Sequence, residues 1–268
     1  RYVPSPLNAD GSICLDNDAN SYAVLKKVAN LSGISDITLF MNSPPSSMTV
    51  SGKTYADGNA ISNLKRGCYE AYAQYVIDVV EAFLEDGISV KYISPINEPQ
   101  HPWNEIRQEG CHYEPADAIE ICKLVIGELN ARSKTNEALR NVKVSMPESA
   151  KWSDYSYVNS IYKAMVRDSE IAPYIDHFAS HSYSTNADQK RGVARFINSL
   201  SEEALPLHQT EWGNSESEPA MGISTAVELG RCLYEDLTIL DVESWSWWLG
   251  VSKYNYSDGL IYVTDQPN

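Results

Sequence analysis

The chain has 268 residues, 43% of them hydrophobic, which is enough for one large α/β domain or two small ones with a sizeable core. Its formal net charge of −15 excludes nucleic acid and anionic membrane surfaces as natural partners, because the long-range field repels phosphates, whereas a neutral polymer meets no such penalty. The five cysteines (Cys14, Cys68, Cys111, Cys122 and Cys232) contain no CxxC pair, so neither a metal knuckle nor a dense disulfide framework is expected, and the odd count leaves at least one free thiol.

The segment from Arg1 to Ser21, with Pro4, Pro6 and Gly11, reads as a long loop, and a start at Arg1 instead of methionine implies processing or truncation. After it, apolar β-branched runs alternate with stretches of helical period, the pattern of βα units around a parallel sheet. Six strands are expected: Ile37 to Met41, Val90 to Ile96, Val142 to Met146, Ile175 to Ser180, Leu205 to Gln209 and Val242 to Trp247. Between the first two lies a helix on which Tyr72, Val76, Val79 and Phe83 recur at spacings of three and four, ending near Gly87. Glu114-Pro115 opens the next, with Ile119, Cys122, Val125 and Leu129 as its buried stripe. Tyr157, Ile161 and Met165 mark a third helix, Val193, Phe196, Ile197 and Leu200 a fourth, and Ala226 to Leu240 a fifth. No stretch approaches the roughly 20 apolar residues that span a bilayer.

Polar and aromatic residues follow nearly every strand, and no GxGxxG or GxxxxGK[ST] phosphate turn occurs. That favours a TIM-type (β/α)8 barrel over an open doubly wound sheet, and with it disfavours phosphate chemistry. Six strands are fewer than eight, so the expectation for residues 1–268 is a barrel lacking its first two βα units.

Strand C-termini build the active site of such a barrel, and two glutamates stand where apolar runs stop: Glu98 in Ile96-Asn97-Glu98-Pro99-Gln100 and Glu211 in Gln209-Thr210-Glu211-Trp212-Gly213. Paired carboxylates flanking one cleft are what hydrolysis of a glycosidic bond requires. Separations of about 5 to 5.5 Å give a covalent intermediate and retention, and roughly 6.5 to 9.5 Å give inversion. Taken singly, a strand-end glutamate also serves as a helix cap or a solvated charge, so the weight lies on the pair. Asn97 precedes the first carboxylate and suits a sugar hydroxyl. Trp103 is a candidate sugar platform, with loop anchoring as the alternative; Trp212 sets an indole beside Glu211 as a candidate sugar contact; and Trp247 is a candidate floor of the cleft, with core packing as the alternative. His181 and Tyr183 end the strand from Ile175, placed to bond a sugar or to orient Glu211. His177 and His181 mimic a metal-binding HxxxH, but on a strand they stand too far apart for one ion, so no metal and no cofactor are expected. Glu148, also strand-terminal, is a rival carboxylate, whereas Glu105, Glu109 and Glu114 read as solvated loop charge.

Five segments carry a resemblance in order: Asn42-Ser43-Pro44-Pro45, Ile93-Ser94-Pro95-Ile96-Asn97-Glu98-Pro99-Gln100, Gln108-Glu109-Gly110-Cys111, Ser180-His181-Ser182-Tyr183 and Gln209-Thr210-Glu211-Trp212. The chain resembles glycoside hydrolase family 30. The resemblance implies a retaining β-glycosidase on a (β/α)8 barrel, Glu98 as acid/base on the fourth strand and Glu211 as nucleophile on the seventh. It also implies an oligo- or polysaccharide partner, with β-1,6-galactan or β-1,6-glucan favoured over xylan or a glucosylated lipid, and an extracellular or periplasmic location. The chain departs from the family pattern in showing no segment of a β-sandwich side domain, and in placing Ser46-Ser47 where relatives carry aromatic residues. The alternative reading is a catalytically silent carbohydrate-binding barrel.

Overall fold

The computed structural model describes residues 5–31, 34, 36–58, 62–104, 108–200, 204–214, 223–252 and 258–263. Arg1, Pro4 and Glu105, named above, lie outside them. The chain divides into two units, Arg1–Glu148 with Asn159–Asp176, and Ser149–Val158 with His177–Asn268. Parallel strands occur in both.

The first unit runs through α1 (Ala19–Ala29), β1 (Thr38–Phe40), α2 (Tyr69–Glu85), β2 (Tyr92–Ser94), α3 (Pro115–Ser133) and β3 (Lys143–Val144). Leu39 pairs with Ile93 and Ile93 with Val144, in the order β1-β2-β3, all parallel. Helix α2 follows the expected stripe, with Tyr72, Val76, Ile77, Val79 and Val80 buried. Its end obeys sequence chemistry. Gly87 takes φ +81°, a left-handed conformation costly for any residue with a Cβ, and turns the chain so that its N–H reaches the Leu84 carbonyl while the Ile88 N–H reaches that of Phe83. Pro115 opens α3, where its missing N–H costs nothing. The buried face of α3 is Ala118, Ile121, Cys122, Val125, Ile126 and Leu129; Ile119 lies at its half-buried margin.

The N-terminal loop expected up to Ser21 is in part helical. Asp18 accepts a hydrogen bond from the Ser21 amide and starts α1, which ends with Lys26 and Lys27 in its last turn. No residue of α1 is fully buried, and its inward side, Tyr22, Leu25 and Ala29, is half-buried, a stripe too short and shallow to stand out in sequence. The strand expected from Val142 to Met146 is also interrupted: β3 ends at Val144, and β4 (Pro147–Ser149) begins at a proline that has no N–H to give to a ladder. Strand β4 and helix α4 (Tyr155–Arg167) cross the division between the units. Tyr157, Ile161 and Met165 are buried, as their spacing predicts.

The second unit continues with β5 (Phe178–Ser180), α5 (Ala187–Asn198), β6 (Leu207–Trp212), α6 (Ile223–Glu235), β7 (Ser244–Trp247) and a small parallel pair, β8 (Val251–Ser252) and β9 (Ile261–Tyr262), which the sequence pattern does not reveal. Strands β5, β6 and β7 pair in parallel, Ser180 opposite Gln209 and Gln209 opposite Trp245. Helix α5 opens with a reciprocal capping box between Asn186 and Gln189. The fifth expected helix, Ala226 to Leu240, changes character part-way: after Glu235 the chain widens into a π-helical turn, Asp236–Leu240, closed by Asp241 in a left-handed conformation. All five cysteines are free thiols.

Two polar features bear on stability. The hydroxyl of fully buried Tyr72 donates to the Pro95 carbonyl at 2.7 Å, tying α2 to the segment that leads into Asn97 and Glu98. Tyr72→Phe leaves that carbonyl unpaired, and a loss of about 1 to 3 kcal/mol is expected in urea denaturation. An unchanged midpoint would contradict it. In the second unit, burial works against the charge of Glu235, but hydrogen bonds from Arg231 and Lys190 outweigh it and hold the carboxyl below the ordinary carboxylate range. A depressed folded-state pKa contributes stability fully above the ordinary value near 4.3, lost as pH falls through the lower folded value. Glu235→Gln is therefore expected to flatten the fall in stability between about pH 5 and pH 3. Parallel pH dependences for variant and wild type would refute the assignment.

Candidate active site

In the first unit, Ser94 ends β2, and three residues later the chain turns at Asn97-Glu98-Pro99. Glu98 adopts φ +41°, a left-handed conformation that costs a non-glycine residue on the order of 1 kcal/mol or more and persists only where neighbours hold it. They do so from two sides. The Glu98 amide donates to the Glu148 carbonyl at 2.8 Å, and the Glu98 carbonyl accepts from the His101 amide at 3.0 Å and from the Trp103 indole at 3.1 Å. Asn97 is buried and donates from Nδ2 to Asn42 Oδ1 at 3.2 Å.

Trp103 is 3% exposed, with the His101 ring edge-on 4.6 Å away. Of the two expected roles, this burial and the bond from its indole N–H to the Glu98 carbonyl favour the loop anchor over the sugar platform. Glu148, the rival carboxylate, lies inside β4, is 4% exposed and accepts from the Ser145 hydroxyl at 2.7 Å.

In the second unit, Glu211 lies within β6, which runs on to Trp212 instead of stopping at Gln209. Leu207 and Gln209 are buried, and strict alternation would bury Glu211 beside them. A bulge intervenes. Gln209 pairs with Trp245 and Trp212 with Trp247, so β6 spends one residue more than β7 over the same step. The extra residue shifts the phase, burying Trp212 and leaving the Glu211 side chain 14% exposed. Glu211 Oε1 accepts from the Tyr183 hydroxyl at 3.1 Å, and His181 Nδ1 stands 3.8 Å from the same oxygen. His181 is 1% exposed and held through its amide, which donates to the Ser149 carbonyl at 2.7 Å. His177 stacks on His208 with ring centres 3.8 Å apart.

Trp212 and Trp247 meet edge to face at 5.6 Å, and Trp245 lies 6.2 Å from Trp212. Trp247 Nε1 donates to the Asp258 carbonyl at 2.8 Å. Gly213 follows because nothing larger fits: a Cβ there would come within 2.1 Å of the Trp248 carbonyl oxygen. Beside this aromatic cluster, a polar cavity of about 350 Å³ is lined by Trp212 with Ser182, Ser184, Asn186, Lys190 and Arg231.

The structure therefore gathers Asn97, Glu98 and Trp103 about one turn of the first unit, and His181, Tyr183, Glu211, Trp212 and Trp247 about one strand end of the second. Asn42 as the partner of Asn97 and the buried groups behind Ser182 were not singled out from sequence. The first lies in a quoted segment, Asn42-Ser43-Pro44-Pro45, whereas the second depends on contacts between residues far apart in the chain.

The sequence model of O-glycosyl hydrolase family 30 matches residues 1–262. The chain belongs to that family. Among curated proteins, it is similar to the glucuronoxylanase XynC of Bacillus subtilis strain 168, 23% identical over 222 residues that cover 81% of this chain and 47% of the relative. Among solved structures, a conserved exported protein from Bacteroides fragilis superimposes with a TM-score of 0.75 at 22% identity, covering 93% of this chain and 55% of the other. The family 30 subfamily 8 xylanase Xyn30A from Clostridium acetobutylicum does so with a TM-score of 0.67 at 21% identity, covering 91% and 54%. These likenesses fix the fold of this family 30 chain as TIM-like α/β, consistent with its two parallel sheets and intervening helices. The chain spans about half the length of the curated relatives it matches.

Proposed function

We propose that this family 30 chain is the catalytic portion of a retaining β-glycan hydrolase in which Glu211 is the nucleophile and Glu98 the acid/base. The observation that carries the reading is Glu211 on its bulged strand end, with a tyrosine hydroxyl donating to the oxygen that must stay ionised to attack. In the first step Glu211 bonds to the anomeric carbon as the glycosidic bond breaks, and protonated Glu98 gives its proton to the departing sugar oxygen. In the second, the Glu98 carboxylate takes a proton from water, which attacks the anomeric carbon and releases Glu211. Two inversions return the original configuration. The strained Glu98 backbone, braced by Glu148 and Trp103, supports a residue whose position matters more than its comfort. Asn97, His181 and Tyr183 complete the proposed sugar-contacting set, with Trp212 and Trp247 as its aromatic wall.

Glucuronoxylan is the first substrate to test, because the curated relative is a glucuronoxylanase. β-1,6-Glucan, β-1,6-galactan and a glucosylated lipid follow. The charge of −15 opposes a uronate-bearing chain at long range, but at physiological salt the Debye length of about 8 Å confines that repulsion to close approach. Export from the cell is part of the proposal, supported by the likeness to an exported protein. Among the described residues no helix is long and apolar enough to cross a membrane.

The test is release of reducing ends from those four substrates, followed by mass spectrometry after inactivation with activated 2-deoxy-2-fluoro-β-xylobioside and its β-glucoside counterpart. Turnover with a glycosyl adduct on Glu211 is expected. An adduct on any other residue would overturn the assignment, and tight glycan binding without turnover would replace it with the carbohydrate-binding reading.

A further inference from the structure

Behind the strand end that carries His181 and Tyr183 lies a buried polar cluster to which the proposed chemistry assigns no part. Its centre is Asp236, fully buried at the point where α6 widens into the π-helical turn. One carboxylate oxygen accepts from Ser182 Oγ at 2.8 Å and from the Trp245 indole at 2.9 Å, and Lys190 Nζ lies 2.9 Å from the other. Ser182 Oγ in turn accepts from the Trp152 indole at 3.0 Å. Lys190, 1% exposed, also pairs with Glu235, which Arg231 holds from the far side.

A buried ion pair recovers little of what its desolvation costs, so stability alone does not account for this cluster. Its placement does. Trp245 belongs to β7 and Ser182 follows β5, the two strands on either side of the one bearing Glu211. Ser182 itself sits between His181 and Tyr183, the two side chains that approach Glu211 Oε1. We infer that Asp236 and Ser182 are positioning residues that fix the His181-Ser182-Tyr183 segment and, through it, the Glu211 carboxylate. The inference rests on the proposed role of Glu211. A π-helical turn is a costly local geometry that recurs at functional sites, and here it brings Asp236 to the cluster.

Ser182→Ala is the informative variant, because it leaves the Lys190 and Asp236 ion pair in place, whereas Asp236→Asn disturbs the core itself. Active sites are counted by inactivation with the 2-fluoro-β-xylobioside or its β-glucoside counterpart, and turnover of glucuronoxylan is expressed per counted site. A fall in kcat of about 10-fold or more is expected in Ser182→Ala with KM changed less than about twofold, since small misplacements of a reacting group are expensive. Ser182→Thr, which keeps the hydroxyl, is expected to recover most of the loss. Wild-type kcat per site in Ser182→Ala, or equal losses in the Ala and Thr variants, would overturn the inference. A structural defect alone lowers the count of sites and leaves kcat per site intact. If Glu211→Gln is inactive while Ser182→Ala is unimpaired per site, the positioning role fails and the nucleophile stands; if Glu211→Gln retains turnover, the proposed function itself fails.

Discussion

Glu211→Gln is expected to lower kcat on any glycan the wild type cleaves by about 10⁴-fold or more, because it removes the group that forms the covalent intermediate. The side chain keeps its size, and the Tyr183 hydroxyl keeps an oxygen to bond, so the fold and the bulge of β6 should survive. Near-ultraviolet circular dichroism checks that point, and glycan binding should persist within a few-fold of wild type. The amide cannot attack the anomeric carbon, so the 2-fluoro reagents should leave the variant unlabelled. A variant that still turns over and still takes a label would show that the nucleophile lies elsewhere.

Glu98→Ala separates the two chemical steps. Loss of the general acid is expected to slow hydrolysis of a natural glycan by roughly 10²- to 10⁴-fold. An aryl glycoside with a good leaving group needs no proton to depart, so its glycosylation of Glu211 should be nearly unimpaired while release of the glycosyl-enzyme stalls for want of a base. The predicted signature is a burst of phenolate followed by a slow steady state, with azide restoring turnover because it attacks without deprotonation. The product of rescue should be the β-glycosyl azide. Equal losses on activated and natural substrates, with no azide effect, would deny Glu98 the acid/base role. The variant also tests strain: alanine at φ +41° keeps the awkward backbone, whereas Glu98→Gly relieves it and should be the more stable of the two by about 1 kcal/mol.

Much of the scaffold was legible because it rests on periodicity. The stripe on α2, the Gly87 stop, the proline at the head of α3 and the six main strand positions all follow from local chemistry, and the structure bears them out with shifted bounds. Helix α1 was not legible because it buries nothing completely, and the break between β3 and β4 leaves no mark because Val142, Val144 and Met146 alternate with Lys143 and Ser145, a period-2 pattern that reads as one strand running up to the proline. The site was legible as residue types and only partly as geometry. Glu98 and Glu211 stood out at the ends of apolar runs, but the bulge that turns Glu211 out of the buried phase is a property of two paired strands and leaves no mark in either alone. Trp103 shows the converse. An exposed-looking indole in a polar loop proved to be 3% exposed, because the turn at Glu98 offers a carbonyl that its N–H can satisfy. Asp236 was invisible for the same reason as the bulge: its partners, Ser182, Lys190 and Trp245, are scattered over some sixty residues of sequence.

The central claim is double displacement by Glu98 and Glu211, and stereochemistry tests it most directly. Proton nuclear magnetic resonance should follow the anomeric signals during the first minutes of glycan hydrolysis, before mutarotation mixes them. Appearance of the β-anomer first, with the α-anomer growing in later, is the predicted result; initial release of the α-anomer would mean single-step inversion and contradict the account.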